Sequence, residues 1–124
     1  MLRNDFDLRL TNELIESYLR IAYGIRPDEF LDSEKGLIED NVIYPQLKQL
    51  IQEGKINDAE DLLYEYASPI NPDILKVGLF FYYDLNRLDD DVLEKADFSR
   101  EEINEGLHEL LRIYDQEEFG AIFR

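Results

Sequence analysis

A stretch of nine residues, Val77 to Leu85, constrains the fold of this chain more strongly than its other segments. It reads VGLFFYYDL, and five consecutive positions in it are large and apolar or aromatic: Leu79, Phe80, Phe81, Tyr82 and Tyr83. Because successive residues of a helix point about 100° apart, these five side chains surround a helix completely. Asn71 and Pro72 are typical of the N-cap and first position of such a helix. The helix is then either the centre of a bundle, or it packs on its own core with one side and on a partner with the other.

The rest of the chain also has helical periodicity, without sustained alternation of period two. The other predicted helices span residues 5–25, 41–53, 57–67 and 99–115, with a short acidic turn near 89–93. Capping boxes are predicted at Asn57–Glu60 and Ser99–Glu102, where a small polar residue stands three positions before a Glu. The predicted fold class is therefore all-α, a compact bundle of about five to six helices.

The length of 124 residues indicates a single domain. Gly24 and Pro27 end the first helix, so residues 1–27 are predicted to be an N-terminal helix. Residues 28–40 mix acidic residues with Ser and Gly and are predicted to be a connector. The helical bundle then occupies residues 41–115, and residues 116–124 are predicted to be a tail.

The helices on either side of Gly54 are joined by a short turn, which predicts an antiparallel hairpin over about 41–67. Gly54 and Ala59 resemble the turn and small-residue positions of a tetratricopeptide unit. Tetratricopeptide units recur every ~34 residues, but the residues that far beyond Gly54 and Ala59 are Leu88 and Leu93. The pattern therefore indicates one hairpin of this style and no array.

The composition argues against several classes of partner. The chain has 29 Asp and Glu against 13 Lys and Arg, a net charge of −16 that repels nucleic-acid phosphates and anionic membrane surfaces. Its longest apolar stretch is far shorter than the ~20 residues of a membrane span, and the charged N-terminal residues do not form a secretory signal. There are no cysteines, as is typical of the reducing cytoplasm. We therefore expect a cytoplasmic protein that binds neither nucleic acid nor membrane.

No group of residues forms a catalytic motif, so we expect a protein that is not an enzyme and that uses no cofactor or metal. The single histidine, His108, offers the main alternative. Glu105 and His108 have the Glu-x-x-His spacing of a di-iron bundle, which needs a second such pair, from a homodimer if at all. A lone His on a small helical bundle also resembles a histidine phosphotransfer domain, although Glu105 and Glu109 place negative charge beside it. A solvated or helix-capping histidine is the simpler interpretation, and a phosphocarrier or small metal-binding bundle is the alternative.

Three motifs follow one another along the chain: NDFxLR at residues 4–9, EGKINDAE at residues 53–60 and FSREEIxEGL at residues 98–107. In this order they resemble a family of short bacterial proteins, found mainly among Firmicutes, that is known only as a domain of unknown function. The resemblance implies a helical, tetratricopeptide-like fold and a cytoplasmic bacterial setting. It implies no activity and no catalytic residue.

The first helix and the aromatic helix carry more apolar residues than one core-facing stripe needs, whereas the remainder of the chain is acidic. We therefore expect a non-catalytic helical module that binds a basic or amphipathic protein segment, or binds itself as a homodimer. The candidate interface residues are Leu8, Leu10 and Leu19 of the first helix, and Leu79, Phe80, Phe81, Tyr82 and Tyr83 of the aromatic helix.

Overall fold

The computed structural model describes residues 2–26 and 41–122. Within them the chain forms seven α-helices, α1 to α7, with the bounds Leu2–Tyr18, Ile43–Gln52, Ile56–Tyr66, Asp73–Asn86, Asp90–Lys95, Arg100–Ile113 and Glu117–Ala121. A π-helical turn at Leu19–Tyr23 extends α1. These residues contain no strand, so the predicted all-α class is confirmed. The connector predicted at residues 28–40 lies outside the described residues.

Helix α4, which contains the aromatic run, is the centre of the bundle. It packs against α1, α2, α3 and α6, and ten of its fourteen residues are buried. From Leu79 to Tyr82 no residue is more than 4% exposed, whereas Tyr83 is half-buried. Of the two arrangements that the sequence allowed, the structure shows burial within one chain. Each such side chain contributes about 1.5–3 kcal/mol when it leaves water, so α4 supplies much of the driving force for folding.

Helices α2 and α3 form the predicted hairpin. Gly54, in the turn between them, has a φ of 76°, which is the left-handed region that glycine adopts without strain. The N–H of Lys55 donates to the carbonyl of Leu50 at 2.8 Å and closes the end of α2. Pro45 lies in the first turn of α2, where its missing N–H leaves no hydrogen bond unmade. Because the turn is so short, the two helices lie antiparallel against each other.

The capping box predicted for the last long helix is confirmed at the start of α6. The side-chain oxygen of Ser99 accepts from the N–H of Glu102 at 3.0 Å, and the carboxylate of Glu102 accepts from the N–H of Ser99 at 2.9 Å. These two bonds satisfy donors that a helix start otherwise leaves to water. The N-terminal end of α6 is therefore held by its own sequence.

The other two predicted caps are wrong. Helix α3 begins one residue before Asn57, so this side chain lies inside the helix and donates to the carbonyl of Ala96 at 3.4 Å instead. The N-cap position of α4 is occupied by Pro72, and Asn71 donates to the carbonyl of Tyr66 at 2.9 Å. In both cases a bond to a neighbouring segment replaces a bond within the helix.

Polar side chains hold α1 on the bundle. The side-chain amide of Asn86 donates to the carbonyl of Leu8 at 2.9 Å and to the side-chain oxygen of Asn12 at 2.8 Å. The amide of Asn104, on α6, donates to the hydroxyl of Thr11 at 3.0 Å. These bonds fix the position of the first half of α1 relative to α4 and α6.

Part of the segment predicted to be a tail forms α7. The ring of Phe119 meets the ring of Tyr18 edge to face, with their centroids 5.0 Å apart and an interplanar angle of 81°. Such aromatic pairs contribute about 0.5–1.5 kcal/mol beyond their burial. Helix α7 therefore packs on α1 as well as on α6.

None of the described helices has the length and apolar character that a membrane span requires.

Candidate functional site

A groove of about 860 Å³ lies between α6, α7 and α1. Its acidic lining residues are Glu105, Glu109, Glu117 and Glu118. Leu10 and Ala121 supply apolar surface, and Asn104, His108 and Arg112 complete the lining. The methylene stems of the long charged side chains add apolar surface beneath the charges. The groove is thus an apolar surface with a predominantly acidic edge.

The end of α6 explains how this groove forms. Asp115 has a φ of 59°, in the left-handed region, and the N–H of Gln116 donates to the carbonyl of Leu111 at 2.7 Å. This arrangement ends a helix and reverses the chain. Helix α7 consequently returns alongside α6, whose residues 105, 108, 109 and 112 share one face because they are three or four positions apart.

Gly120 allows the close approach of α7 to His108. A Cβ atom at this position would lie 2.9 Å from Nδ1 of His108 and 3.2 Å from a methyl carbon of Leu111. Both distances are shorter than ordinary van der Waals contact. A glycine is therefore required for this packing, and the imidazole forms a wall of the groove.

His108 is half-buried, and its Nε2 atom is buried in the protein. The structure brings it together with Glu105, as the alternative hypothesis required, and both line the groove. The anions nearby oppose a phosphoryl group, as the sequence indicated. Among the side chains that the structure describes, no three histidine or carboxylate groups gather closely enough to hold a metal ion. The geometry does not favour a phosphocarrier or a metal-binding bundle.

Glu109 and Arg112 form a pair at the edge of the groove. The guanidinium donates through Nε to one carboxylate oxygen at 2.9 Å and through Nη2 to the other. This hydrogen bonding lowers the pKa of Glu109, so the carboxylate remains ionised. The groove lining thus contains four carboxylates and one guanidinium, and that guanidinium is already paired with one of the carboxylates. The groove edge is left with net negative charge.

The predicted interface residues of α1 have three different locations. Leu10 is half-buried and lines the groove. The groove therefore contains one residue of the predicted interface, together with Glu105 and His108 of the phosphocarrier or metal-binding alternative. Leu8 is half-buried and lines a smaller hollow beside Arg100. Leu19 is fully buried.

The predicted interface residues of α4 are core residues. Leu79, Phe80, Phe81 and Tyr82 are buried because four other helices surround α4, so these side chains cannot contribute to a docking surface while the bundle is closed. Tyr83 is half-buried, and its hydroxyl accepts from Arg87 at 3.2 Å. The surplus of apolar residues on this helix reflects its central position.

A second polar cluster surrounds Arg100, which is 7% exposed. Its guanidinium donates to the carbonyl of Asn86 at 2.9 Å, to the carbonyl of Leu88 at 2.7 Å and to the carboxylate of Asp90 at 3.1 Å. The carbonyl of Asn86 is at the C-terminal end of α4, where a helix leaves carbonyls without partners of its own, and Leu88 lies two residues beyond that end. The side chain therefore stabilises the fold, and we assign it no ligand.

Sequence reasoning did not find the groove as a unit. Its residues come from three helices, and Glu117 and Glu118 belong to the segment predicted to be a tail. The sequence does contain one signal: Glu105, Glu109 and Arg112 follow one another at four- and three-residue steps, which predicts a charged face of α6.

Comparisons with curated proteins and with solved structures give no match. The model of one protein family matches residues 1–115, a span that contains α1 to α6 and ends before α7. Most of the groove, including Leu10 and the charged face of α6, lies within that span. The chain belongs to this family, which is described as a family of unknown function (DUF6483).

Proposed function

We propose that the protein is a non-catalytic interaction module whose groove between α6 and α7 binds a basic, amphipathic helix of another protein. The observation that carries this proposal is the combination of apolar surface and net negative charge in one groove, with Leu10 and Ala121 beside four carboxylates and one guanidinium. A helix with leucines on one side and lysines or arginines at its edges offers the complementary pattern.

The length of the groove sets the size of the partner segment. Its α6 wall runs from Asn104 to Arg112, which corresponds to about 12 Å along the helix axis at 1.5 Å per residue. This is roughly two turns of a partner helix. The segment therefore needs two apolar anchors about one turn apart, flanked by positive charges.

The charge of the chain argues for a basic partner over a second copy. With a net charge of −16, two copies repel each other, and an acidic groove adds to that repulsion.

Binding of a labelled peptide tests the proposal. The probe is a 14-residue amphipathic helix of leucine and lysine, and its glutamate counterpart serves as the negative control. We expect saturable binding of the lysine peptide that weakens with added salt, because exposed charges are screened. Fluorescence anisotropy gives the dissociation constant at each salt concentration.

A triple variant, Glu105→Gln with Glu117→Gln and Glu118→Gln, should weaken this binding about tenfold. Each exposed ion pair contributes roughly 0.2–1 kcal/mol, so three of them approach the ~1.4 kcal/mol of a tenfold change. The matched control removes three exposed glutamates outside the groove, Glu65, Glu94 and Glu101, by the same substitution. Equal weakening by both triple variants would show that only net charge matters, and the groove proposal would then be wrong.

A further inference from the structure

Four oxygen atoms form a continuous chain at the junction of α3, α4 and α6. The carboxylate oxygen Oε2 of Glu60 lies 2.6 Å from the hydroxyl of Tyr82. That hydroxyl lies 2.9 Å from the hydroxyl of Tyr64, which in turn lies 2.6 Å from the carbonyl oxygen of Gly106. All three separations are hydrogen-bond distances.

The absence of a side chain at Gly106 makes this junction possible. A Cβ atom there would overlap the hydroxyl of Tyr82 and would lie 2.5 Å from Oε2 of Glu60. With glycine, α6 comes close enough for its carbonyl to accept from Tyr64. The chain of oxygens is therefore a feature of the packed bundle.

The three contacts need three hydrogens. A carbonyl has none and each tyrosine hydroxyl has one, so an ionised Glu60 leaves only two. If Tyr82 then donates to the carboxylate, Tyr64 can donate either to Tyr82 or to the carbonyl of Gly106. The remaining contact brings two acceptor oxygens to 2.9 or 2.6 Å with no hydrogen between them. Such a contact is repulsive.

We propose that Glu60 is protonated in the folded protein, and that its proton completes a one-way series of hydrogen bonds from Glu60 to Tyr82, to Tyr64 and to the carbonyl of Gly106. The junction is then a pH-sensitive latch that joins α3, α4 and α6. Loss of the Glu60 proton removes one of the three bonds and loosens the contact. This inference is independent of the groove and of any partner.

The surroundings of Glu60 favour its neutral form. Burial raises the pKa of this carboxyl most, the hydrogen bond from Tyr82 opposes that effect, and the negative charges of Glu102 and Asp61 raise the pKa further. Glu102 is on α6 and Asp61 is on the same helix as Glu60. For the same reason of burial, the pKa values of Tyr64 and Tyr82 are raised, so both hydroxyls keep their protons.

The cations of the neighbouring elements have other partners. Lys48 of α2 and Lys76 of α4 lie over the rings of Tyr44 and Tyr23, and Lys55 lies 3.5 Å from Glu53. The two arginines of α6 are paired as well, Arg100 with Asp90 and Arg112 with Glu109. None of these cations is therefore paired with the Glu60 carboxyl, and protonation is what removes its negative charge.

The direction of the pH effect follows from proton linkage. A carboxyl whose pKa is higher in the folded state keeps its proton at a pH where the unfolded chain has released it. The contribution of Glu60 to stability is complete below its unfolded pKa and is lost as the pH rises through its folded pKa. Between these two values, the folded protein becomes less stable with rising pH on account of this group.

The substitution Glu60→Gln tests the latch because an amide can donate to Tyr82 at every pH. We expect urea unfolding of the wild type between about pH 4 and about pH 8 to show a midpoint that falls relative to the variant as the pH rises. The control Glu65→Gln makes the same substitution at an exposed position of α3, and its midpoint should run parallel to that of the wild type. Midpoints of the wild type and of Glu60→Gln that run parallel across this range would overturn the proposal.

A second measurement uses the wild type alone. The side-chain carboxyl carbon of Glu60 is followed by NMR as the pH is raised, in the folded protein and in the protein unfolded by urea. The proposal requires Glu60 to titrate at a higher pH in the folded protein. If it titrates at the same pH in both states, the latch does not exist.

Discussion

The two ends of α6 use polar residues in opposite ways. At the N-terminal end, Ser99 closes a capping box and Arg100 donates to the carbonyls of Asn86, at the end of α4, and of Leu88, just beyond it, so polar groups bind within the chain. Farther along the helix, Glu105 and Glu109 are exposed, and the side chain of Arg112 is 60% exposed although it pairs with Glu109. Polar groups that leave water must be hydrogen-bonded internally, whereas exposed groups keep their hydration.

If the proposed function is correct, this difference separates stability from binding along one helix. A buried donor such as Arg100 is costly to remove because its acceptors remain behind without partners. An exposed carboxylate such as Glu105 contributes little to the free energy of folding, and it is free to pair with a charge on a ligand. We therefore expect substitutions to lose stability at one end of α6 and to lose affinity at the other.

The largest effect should come from Arg100→Met, which keeps most of the length of the side chain and removes its charge and donors. The carbonyls of Asn86 and Leu88 lose their partners in a buried site, which costs roughly 2–4 kcal/mol of unfolding free energy. Urea unfolding followed by circular dichroism measures this loss.

The control for Arg100 is Asp90→Asn. Asp90 pairs with Arg100 at 3.0 Å, but its side chain is 65% exposed and can return to water. Removing its charge should cost less than about 1 kcal/mol. Equal losses from both substitutions would mean that Arg100 acts mainly as half of an ion pair, and the contrast between the two ends of α6 would weaken.

The next effect concerns Gly106, which lies between the two ends. Alanine favours a helix by about 1 kcal/mol over glycine, but the new Cβ overlaps the hydroxyl of Tyr82, which is fully buried and cannot move aside. Overpacking costs about 1–3 kcal/mol, so Gly106→Ala should destabilise the protein by up to about 2 kcal/mol in urea unfolding. In Gly78→Ala the overlap is with the methyl ends of Leu110, which is also fully buried but, unlike the rigid ring of Tyr82, can rotate about its side-chain bonds, so the loss should be smaller. A stabilised Gly106→Ala variant would contradict the described packing of α6 on α3 and α4.

Much of this helical framework could be predicted from the sequence because helix formation and burial leave local patterns. The run from Leu79 to Tyr82 has no polar side, and such a run predicts a helix surrounded by others. The same run misled the prediction of an interface. Periodicity shows that a side chain is apolar, but it does not show whether the neighbour that covers it belongs to the same chain.

The groove could not be predicted because it depends on contacts between distant segments. Leu10 and His108 come together only after α1 has packed on α6, and Glu117 reaches them only because Asp115 adopts a left-handed conformation. A residue other than glycine is uncommon in the left-handed region. A five-residue helix such as α7 is too short to show the hydrophobic periodicity of a helix. Glu60 illustrates the same limit. The sequence predicts that it completes a capping box, whereas in the structure its carboxyl is hydrogen-bonded to Tyr82 of another helix.

The smallest effect tests why one predicted cap forms and another does not. Ser99→Ala removes the hydroxyl that accepts from the N–H of Glu102, and loss of an N-cap typically costs about 1 kcal/mol. Asn57→Ala has the same form in sequence, but Asn57 is inside α3, where alanine is the better helix former and only a bond of 3.4 Å to Ala96 is lost. Its change in unfolding free energy should therefore lie within about 0.5 kcal/mol of zero. Both variants are compared in parallel urea titrations. If Asn57→Ala costs as much as Ser99→Ala, then Asn57 does cap α3, and the sequence pattern would have been a better guide to that helix start than the described hydrogen bonds.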